Sequence, residues 1–106
     1  MEPLHAGMLE KWTRGEWQAR YCALHQEDGE DCFYISRQGS QQPIRCINLR
    51  GSELLAGAER GEPLRFEIRT NAGRLPLRAA TETELASWLA ALRSIGDGTQ
   101  NLYIKN

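Results

Sequence analysis

The sequence predicts a small α+β domain, mainly β, in which a β-barrel is closed by one C-terminal helix. Three observations indicate this fold. Residues 7–24 have the pattern of two strands joined by a short turn, and short apolar segments separated by turn signals continue to Ala80. Residues 82–95 then have helical periodicity. Because this helix cannot bury its apolar side alone, we expect it to cover an open end of the barrel, with Trp88 as the plug.

Seven strands are expected in chain order, and the fifth has the weakest pattern. The predicted strands are residues 7–13, 17–25, 32–37, 43–49, 52–58, 64–70 and 74–79. Turns or polar loops are expected at residues 14–16, 26–31, 38–42, 59–63 and 71–73. In the last of these turns, Gly73 can supply a positive φ, which the hairpin connection requires.

The helix has its own start and stop signals. Thr81 is followed three residues later by Glu84, which is the capping-box pattern of a helix N-terminus. The apolar stripe consists of Leu85, Trp88, Leu89, Leu92 and Ile95. Gly96 is predicted to end the helix. Residues 97–106 are then a tail, although residues 102–104 are apolar enough to dock on the barrel.

Composition excludes several classes of function. With a net charge of −1, the chain has no basic field for nucleic-acid binding. No apolar run approaches the roughly 20 residues that span a bilayer, and the start lacks the pattern of a secretory signal. Cys22, Cys32 and Cys46 are odd in number and lack C-x-x-C spacing, which argues against a disulfide framework or zinc site. These features predict a cytoplasmic protein.

No motif indicates catalysis. The chain lacks G-x-S-x-G, a phosphate-cradling glycine loop and a convincing Ser/His/Asp set. His5 and His25 have no cysteine or carboxylate at metal-ligand spacing, and the carboxylates within residues 27–31 are expected to be solvated. We therefore expect no catalytic residues, no metal site and no cofactor, and any anion recognition must come from a few placed residues.

The first hairpin supplies such residues. Lys11 and Arg20 are brought to the same face near the turn, where a barrel mouth is a common ligand site. A lysine acts there as a point charge, and an arginine acts as a fork for phosphate oxygens. The full set predicted to share this face is Leu9, Lys11, Gln18, Arg20, Cys22 and Leu24. Its apolar members are expected in the core and its polar members at the rim.

Taken together, these segments resemble the pleckstrin homology (PH) domain. The matching motifs are G-x-L-x-K at 7–11, W-Q-x-R-Y-x-x-L at 17–24, F-Y-I-S at 33–36, P-I-R-C-I-N-L at 43–49, F-E-I-R-T at 66–70 and L-R-A-A-T-E-T-E-L-A-S-W-L-A-A-L at 77–92. The resemblance covers residues 5–96 and leaves 97–106 as the tail. Locally, the first hairpin looks most similar to the subgroup in oxysterol-binding, ceramide-transfer and four-phosphate adaptor proteins.

The resemblance implies a seven-stranded, bent antiparallel barrel capped by the C-terminal helix. It also implies a non-catalytic membrane-targeting or adaptor module, part of a larger signalling or trafficking protein, that binds phosphoinositides weakly to moderately at a cytosolic membrane face. The implied phosphoinositide-binding residues are Lys11, Arg20 and Tyr34, and we expect Arg37 to assist them. The implied membrane-contact residues are Trp12, Thr13 and Arg14.

A second function stays open, namely a protein-interaction or autoinhibitory PH domain with little or no lipid binding. The near-neutral charge, Gln18, Ile35 and the acidic loop favour it. An exposed apolar patch on the outer sheet or the helix, together with an acidic barrel mouth, would be its signature. Even the lipid hypothesis expects a second contact, such as another domain, a dimer or a small GTPase. A phosphotyrosine-peptide binder is a third possibility.

Overall fold

The structure is a computed structural model that describes residues 2–40, 42–57, 61–99 and 102–105, with side chains through Ile95. In these described residues, seven antiparallel strands precede one helix and a short eighth strand. The elements are β1 (His5–Thr13), β2 (Glu16–Glu27), β3 (Glu30–Arg37), β4 (Pro43–Asn48), β5 (Ser52–Ala56), β6 (Arg65–Thr70), β7 (Gly73–Arg78), α1 (Glu82–Thr99) and β8 (Leu102–Lys105). The predicted fold class, a mainly β domain with one C-terminal helix, is confirmed.

The strands form one continuous sheet in the order β4-β3-β2-β1-β7-β6-β5-β8. The join between its two halves is short, because β1 and β7 pair only at Glu10↔Arg78 and Lys11↔Leu77. Long hairpins flank this join, with β1 paired to β2 from His5↔Leu24 to Thr13↔Glu16. A short join between two well-paired halves lets the sheet bend sharply around a single core.

The core lies between the inner face of the sheet and α1. Trp88 is 1% exposed, and its ring meets the rings of His5 at 4.5 Å and Phe33 at 5.8 Å in edge-on arrangements. The helix starts as predicted, since the Glu84 amide donates to the Thr81 hydroxyl at 3.1 Å. The predicted role of Trp88 as the plug of the barrel is therefore confirmed.

The β2–β3 connection differs from the predicted polar loop at residues 26–31. Both strands continue to a two-residue turn at Asp28 and Gly29, whose φ angles of 51° and 79° define a type I′ hairpin. Asp-Gly is the strongest short hairpin signal, and the sequence interpretation overlooked it. The expectation that Asp31 is solvated is also wrong, because the longer strand places it on the same inner face as Phe33 and fully buries it.

The C-terminal region also differs from expectation. The helix continues through Gly96 to Thr99, so the predicted stop at Gly96 is wrong. A glycine inside a helix costs only about 1 kcal/mol relative to alanine, and so it does not end a helix by itself. Residues 102–105 pair in parallel with β5, in line with the expected docking of residues 102–104. The predicted end of the fifth strand at Ala58 lies outside the described residues.

No described helix is both long and apolar enough to cross a membrane.

Candidate functional site at the cationic rim

The β1–β2 hairpin places Lys11 and Arg20 on its core-facing side, as the sequence predicts. In the strand register, Lys11 lies opposite Gln18 and Arg20 lies opposite Leu9. Leu9 is 2% exposed, and Cys22, the next residue of β2 on this face, is fully buried. The face therefore changes from apolar core to polar rim over a single pair of residues, and the two cations sit at that boundary.

Lys11 lies in a positively charged environment. Partial burial of its ammonium group, followed by the charges of Arg45 and Arg20, lowers the pKa of Lys11 from its ordinary value of 10.5. Desolvation and like charges both disfavour the protonated amine. A bound anion would relieve both effects, because it would supply the opposite charge that the protein does not place beside Lys11.

Arg20 is positioned by neutral groups. Its guanidinium donates one hydrogen bond to the side-chain oxygen of Gln18 and another, at 2.7 Å, to the carbonyl of Ala19. The Gln18 amide in turn donates to a carboxylate oxygen of Glu16 at 2.8 Å. Since an arginine has five N–H donors and an uncharged residue holds it here, Arg20 keeps both its charge and spare donors for a ligand.

Two further arginines extend this group of cations. Arg37 lies directly opposite Arg20 in the β2–β3 register, and Arg45 lies opposite Ile35, whose side chain is buried in the core. We refer to Lys11, Arg20, Arg37 and Arg45 as the cationic rim. Within the described part of the chain, no carboxylate forms an ion pair with any of these four side chains. Their positive charge therefore remains available.

Arg45 was missing from the residues predicted for the site. The signal was present, because Ile47 and Leu49 are buried and Arg45 alternates with them along the fourth strand. Beside Arg45 is a cleft of about 240 Å³ between β4 and the β6–β7 turn. It is lined by Arg45, Cys46, Ile47, Asn48, Arg50, Thr70, Asn71 and Ala72. The rim therefore has adjacent open space for a polar ligand.

The structure does not bring Tyr34 to the rim. Tyr34 lies opposite Ala23 on the outward face of the sheet, whereas Arg20 faces inward. Its ring meets His25 edge-on at 5.2 Å. An interaction with the thiol of Cys46, followed by partial desolvation, raises the pKa of Tyr34 to about 12. Tyr34 is therefore a neutral member of a different surface.

The predicted membrane-contact residues lie at the β1–β2 turn. Trp12 is 43% exposed, and its ring packs edge-on against Trp17 at 5.3 Å. The guanidinium carbon of Arg78 lies 4.4 Å from the ring centroid of Trp17, in a cation–π contact. Thr13 ends β1, and the exposed Arg14 forms the turn with a φ of 54°. The turn is therefore short and braced by an edge-on pair of indoles.

A single carboxylate, Glu67, pairs with three arginines of β6 and β7, namely Arg65, Arg69 and Arg74. Glu67, which is 6% exposed, accepts hydrogen bonds from Arg69 and Arg74, each at 2.7 Å, and has Arg65 at 3.9 Å. Desolvation alone would raise the pKa of Glu67, but the hydrogen bonds from Arg74 and Arg69 outweigh it and lower the pKa. We refer to these four residues as the Glu67 cluster. Its arginines neutralise a buried carboxylate and are not a free cationic site.

Neither the thiols nor the acidic groups form a chemical centre. Burial raises the pKa of Cys22 to about 12, so its thiol stays protonated and unreactive. In the ranges that the structure describes, no group of three or more His, Cys, Asp or Glu side chains is placed to hold a metal ion.

The fold and the rim together define a helix-capped β-barrel module with a cluster of unpaired cations at its open end. Comparison with known proteins assigns the family. Residues 3–97 match the family described as "PH domain", and the chain belongs to that family. PH domains are non-catalytic modules that bind phosphoinositides or proteins.

Individual relatives agree with this assignment. Human actin filament-associated protein 1 is 26% identical over 87 residues, which cover 81% of this chain and only 12% of that protein. A crystal structure of the C-terminal PH domain of pleckstrin has a TM-score of 0.71 and 28% identity, covering 84% of this chain and 91% of that one. The same domain in complex with D-myo-Ins(1,2,3,4,5)P5 has a TM-score of 0.72 and 26% identity, covering 87% and 96%.

These relatives do not support the finer resemblance to the oxysterol-binding, ceramide-transfer and four-phosphate adaptor subgroup. The K-W-T…G-x-W-Q-x-R stretch at residues 11–20, on which that resemblance depended, therefore does not identify the subgroup.

Proposed function

We propose that this domain binds phosphoinositide head groups at the cationic rim, weakly to moderately, and so recruits its parent protein to a cytosolic membrane face. The observation that carries the proposal is the convergence of Lys11, Arg20, Arg37 and Arg45 without a carboxylate partner in the described residues. Partly desolvated cations gain most from an anionic ligand. The complex of the similar pleckstrin domain with an inositol pentakisphosphate supports the same ligand chemistry.

Each rim residue has a distinct role in this proposal. Arg20, oriented by Gln18, presents its guanidinium fork to two phosphate oxygens, and Lys11 approaches a phosphate as a point charge. Arg37 and Arg45 flank them from β3 and β4. Tyr34, on the opposite face, takes no part.

Binding by this rim alone is expected to be weak. Gln18 is neutral at a position where the β1–β2 hairpin could present a third cation, and its amide donates to Glu16, whose negative charge opposes an anion. A second contact would then raise the overall affinity, because two weak binding contacts in one protein reinforce each other. The relatives give no support to a small GTPase as that contact.

The β1–β2 turn offers a membrane contact beside the rim. Trp12 is exposed, and indole rings favour the boundary between head groups and acyl chains. Thr13 and Arg14 would meet the head groups at the same depth. Because the turn has only two residues, Arg14 and Gly15, we propose shallow contact and no deep insertion.

Co-sedimentation with liposomes of defined phosphoinositide content tests the proposal. We expect Arg20→Gln and Lys11→Gln each to weaken binding about tenfold, which corresponds to about 1.4 kcal/mol for one lost charge-assisted contact. The matched control is Arg93→Gln, which removes the same charge from an exposed position on α1. Equal pelleting of all four proteins, or of none, would contradict the proposal.

A proton–nitrogen NMR titration with soluble inositol phosphates locates the ligand without a membrane. Amide shifts are expected to cluster at residues 9–20, Arg37 and Arg45. Shifts confined to β5–β7, or no shifts at all, would show that the rim does not hold the ligand.

Protein docking is a second candidate function, and one observation favours it. Leu4, Met8, Trp12 and Ile44 are exposed large apolar residues, and the first three lie at every fourth position along or beside β1. An apolar outer sheet is half of the signature expected for a protein-binding PH domain. The other half, an acidic barrel mouth, is absent, since the described mouth is cationic.

A further inference from the structure

Two of the three cysteines lie together on the outer face of β3 and β4. Cys46 lies opposite Tyr34 in the strand register. Cys32 lies opposite Asn48, so the two cysteines are diagonal neighbours across the paired strands. Cys46 is exposed and Cys32 is partly exposed, whereas Cys22 is buried. In the described residues this pair is no catalytic or metal centre, but two accessible thiols side by side can react with each other.

The two cysteine side chains meet across the strands. Burial raises the pKa of Cys32, and the charge of Cys46 and a hydrogen bond between the two thiols raise it further. The hydroxyl of Tyr34 also forms a hydrogen bond with Cys46. The sulfur of Cys46 is therefore the atom on which these three side chains converge.

We propose that Cys32 and Cys46 form a reversible disulfide by exchange with a soluble disulfide such as oxidised glutathione, and that this bond displaces β4 together with Arg45 of the cationic rim. The first part of the proposal concerns only the two thiols and is independent of ligand binding. The second part, the effect on the rim, rests on the proposed function.

The exchange proceeds in two steps that balance. The thiolate of Cys46, the more exposed residue, attacks one sulfur of oxidised glutathione, forms a bond to it and releases the other glutathione as a thiolate. The thiolate of Cys32 then attacks the Cys46 sulfur of this mixed disulfide and releases the second glutathione. The two cysteine protons pass to the departing glutathione thiolates. One oxidised glutathione therefore becomes two reduced molecules, and the protein loses two hydrogen atoms.

The first step favours the second. After burial, the negative charge of Cys46 is the next cause that raises the pKa of Cys32. Once Cys46 carries glutathione, this charge is gone, so Cys32 loses its proton more readily. Cys22 cannot compete for the oxidant, because burial raises its pKa to about 12 and keeps its thiol protonated.

The bond requires a small movement of β4. Diagonal neighbours on paired strands are about 7–8 Å apart, whereas bridged cysteines have Cα atoms no more than about 7 Å apart. In the described sheet β4 is a terminal strand that pairs only with β3, and its register already shifts between Ile35 and Ser36. An irregular edge strand can move by about 1 Å toward Cys32 more easily than a central strand. A disulfide that forms in this way is strained, and strain makes it easier to reduce.

Movement of β4 affects the cationic rim through Arg45, which directly precedes Cys46. After partial burial, the charge of Arg45 is the largest cause that lowers the pKa of Lys11, so the two cations act on the same space. A bond at Cys46 carries Arg45 with the strand and alters this arrangement. We therefore expect the oxidised protein to bind an anionic ligand more weakly than the reduced protein.

Oxidation of the folded chain with oxidised glutathione, followed by intact-mass measurement and peptide mapping, tests the disulfide. Wild type should lose two hydrogen atoms and yield a peptide pair joined through Cys32 and Cys46, with Cys22 unmodified. Cys32→Ser should instead keep a stable glutathione adduct on Cys46, and Cys46→Ser should remain mostly unmodified. Circular dichroism melting shows that both variants are folded. A lasting adduct on Cys46 of wild type, or a bond between two protein molecules in place of the internal one, overturns the proposal.

Calorimetric titration with an inositol phosphate, before and after oxidation, tests the effect on the rim. Oxidation should weaken binding by wild type by at most about fivefold, the loss expected when the charge of Arg45 is removed altogether. Arg45→Gln should bind equally in both states, and dithiothreitol should restore the affinity of wild type. Equal affinity of oxidised and reduced wild type overturns the link to the rim. A reduced protein that does not bind at all refutes the proposed function instead, while the mass measurement still decides whether the disulfide forms.

Discussion

Two groups of basic residues in this domain differ in their capacity to bind an anionic ligand. In the Glu67 cluster, Arg69 and Arg74 surround a buried carboxylate at hydrogen-bond distance. At the cationic rim, Arg20 is held by neutral Gln18. The arginines that act on Lys11, Arg45 and Arg20, are positive, and no carboxylate is among the groups that shift its pKa. The second half of the chain is richer in arginine, yet the cationic rim lies in the first half. A cation's partner, more than the local number of cations, therefore decides whether it can bind a ligand.

The paired cluster should matter most for stability. We expect Glu67→Gln to lower the free energy of unfolding by about 2 kcal/mol, because it removes charge-assisted hydrogen bonds and leaves arginines facing one another. We expect a smaller loss than for a fully buried ion pair, because Arg69 and Arg74 are partly solvated. Urea unfolding measures it, with Glu2→Gln at an exposed position as the control. An unchanged unfolding midpoint would show that the cluster is only a surface arrangement.

The same pair of proteins has a defined pH dependence. The pKa of Glu67 in the folded protein lies below its ordinary value of 4.5, so its stabilising effect is complete above pH 4.5 and is lost as the pH falls through the folded pKa. The stability difference between wild type and Glu67→Gln should therefore be constant near neutrality and shrink in acid. Unfolding curves at a series of pH values measure it. A difference that grows as the pH falls would mean that the pKa of Glu67 is raised.

Sequence patterns predicted the fold because each signal was local. Alternation placed Leu9 and Cys22 in the core with Lys11 at the rim, and helical spacing identified Trp88 as the plug. The Asp28-Gly29 turn was also local, and it was missed by reading a polar run as a loop.

The site was less predictable because it depends on contacts between distant strands. Arg45 joins the rim through the β3–β4 register, and Tyr34 leaves it because alternation puts it on the other face. Once the strand boundaries are known, the alternation of side chains predicts which face of the sheet each of these two residues occupies. The partners of Glu67 follow from the β6–β7 register, and no residue spacing shows which arginines a buried carboxylate will neutralise.

A direct comparison of the two arginine groups is available through single substitutions. Arg45→Gln should weaken binding of an inositol phosphate about fivefold, close to 1 kcal/mol, because it removes an unpaired charge at the rim. Arg74→Gln removes an equal charge that is already neutralised by Glu67, and its effect on binding should be within error. Calorimetric titration measures both. Equal losses would mean that net charge, and not placement, controls affinity.

The smallest expected effect concerns the protonation of Lys11. Because partial burial and then Arg45 and Arg20 lower the pKa of Lys11, its charge is lost at a lower pH than that of an ordinary lysine. An anion binds the protonated form preferentially, so affinity should fall as the pH rises from ~8 to ~10. Lys11→Arg, which stays charged throughout this range, should bind with constant affinity. Calorimetric titrations at matched ionic strength compare the two proteins. Parallel pH profiles would place the ligand away from Lys11, because only a cation in contact with the anion couples its own proton to binding.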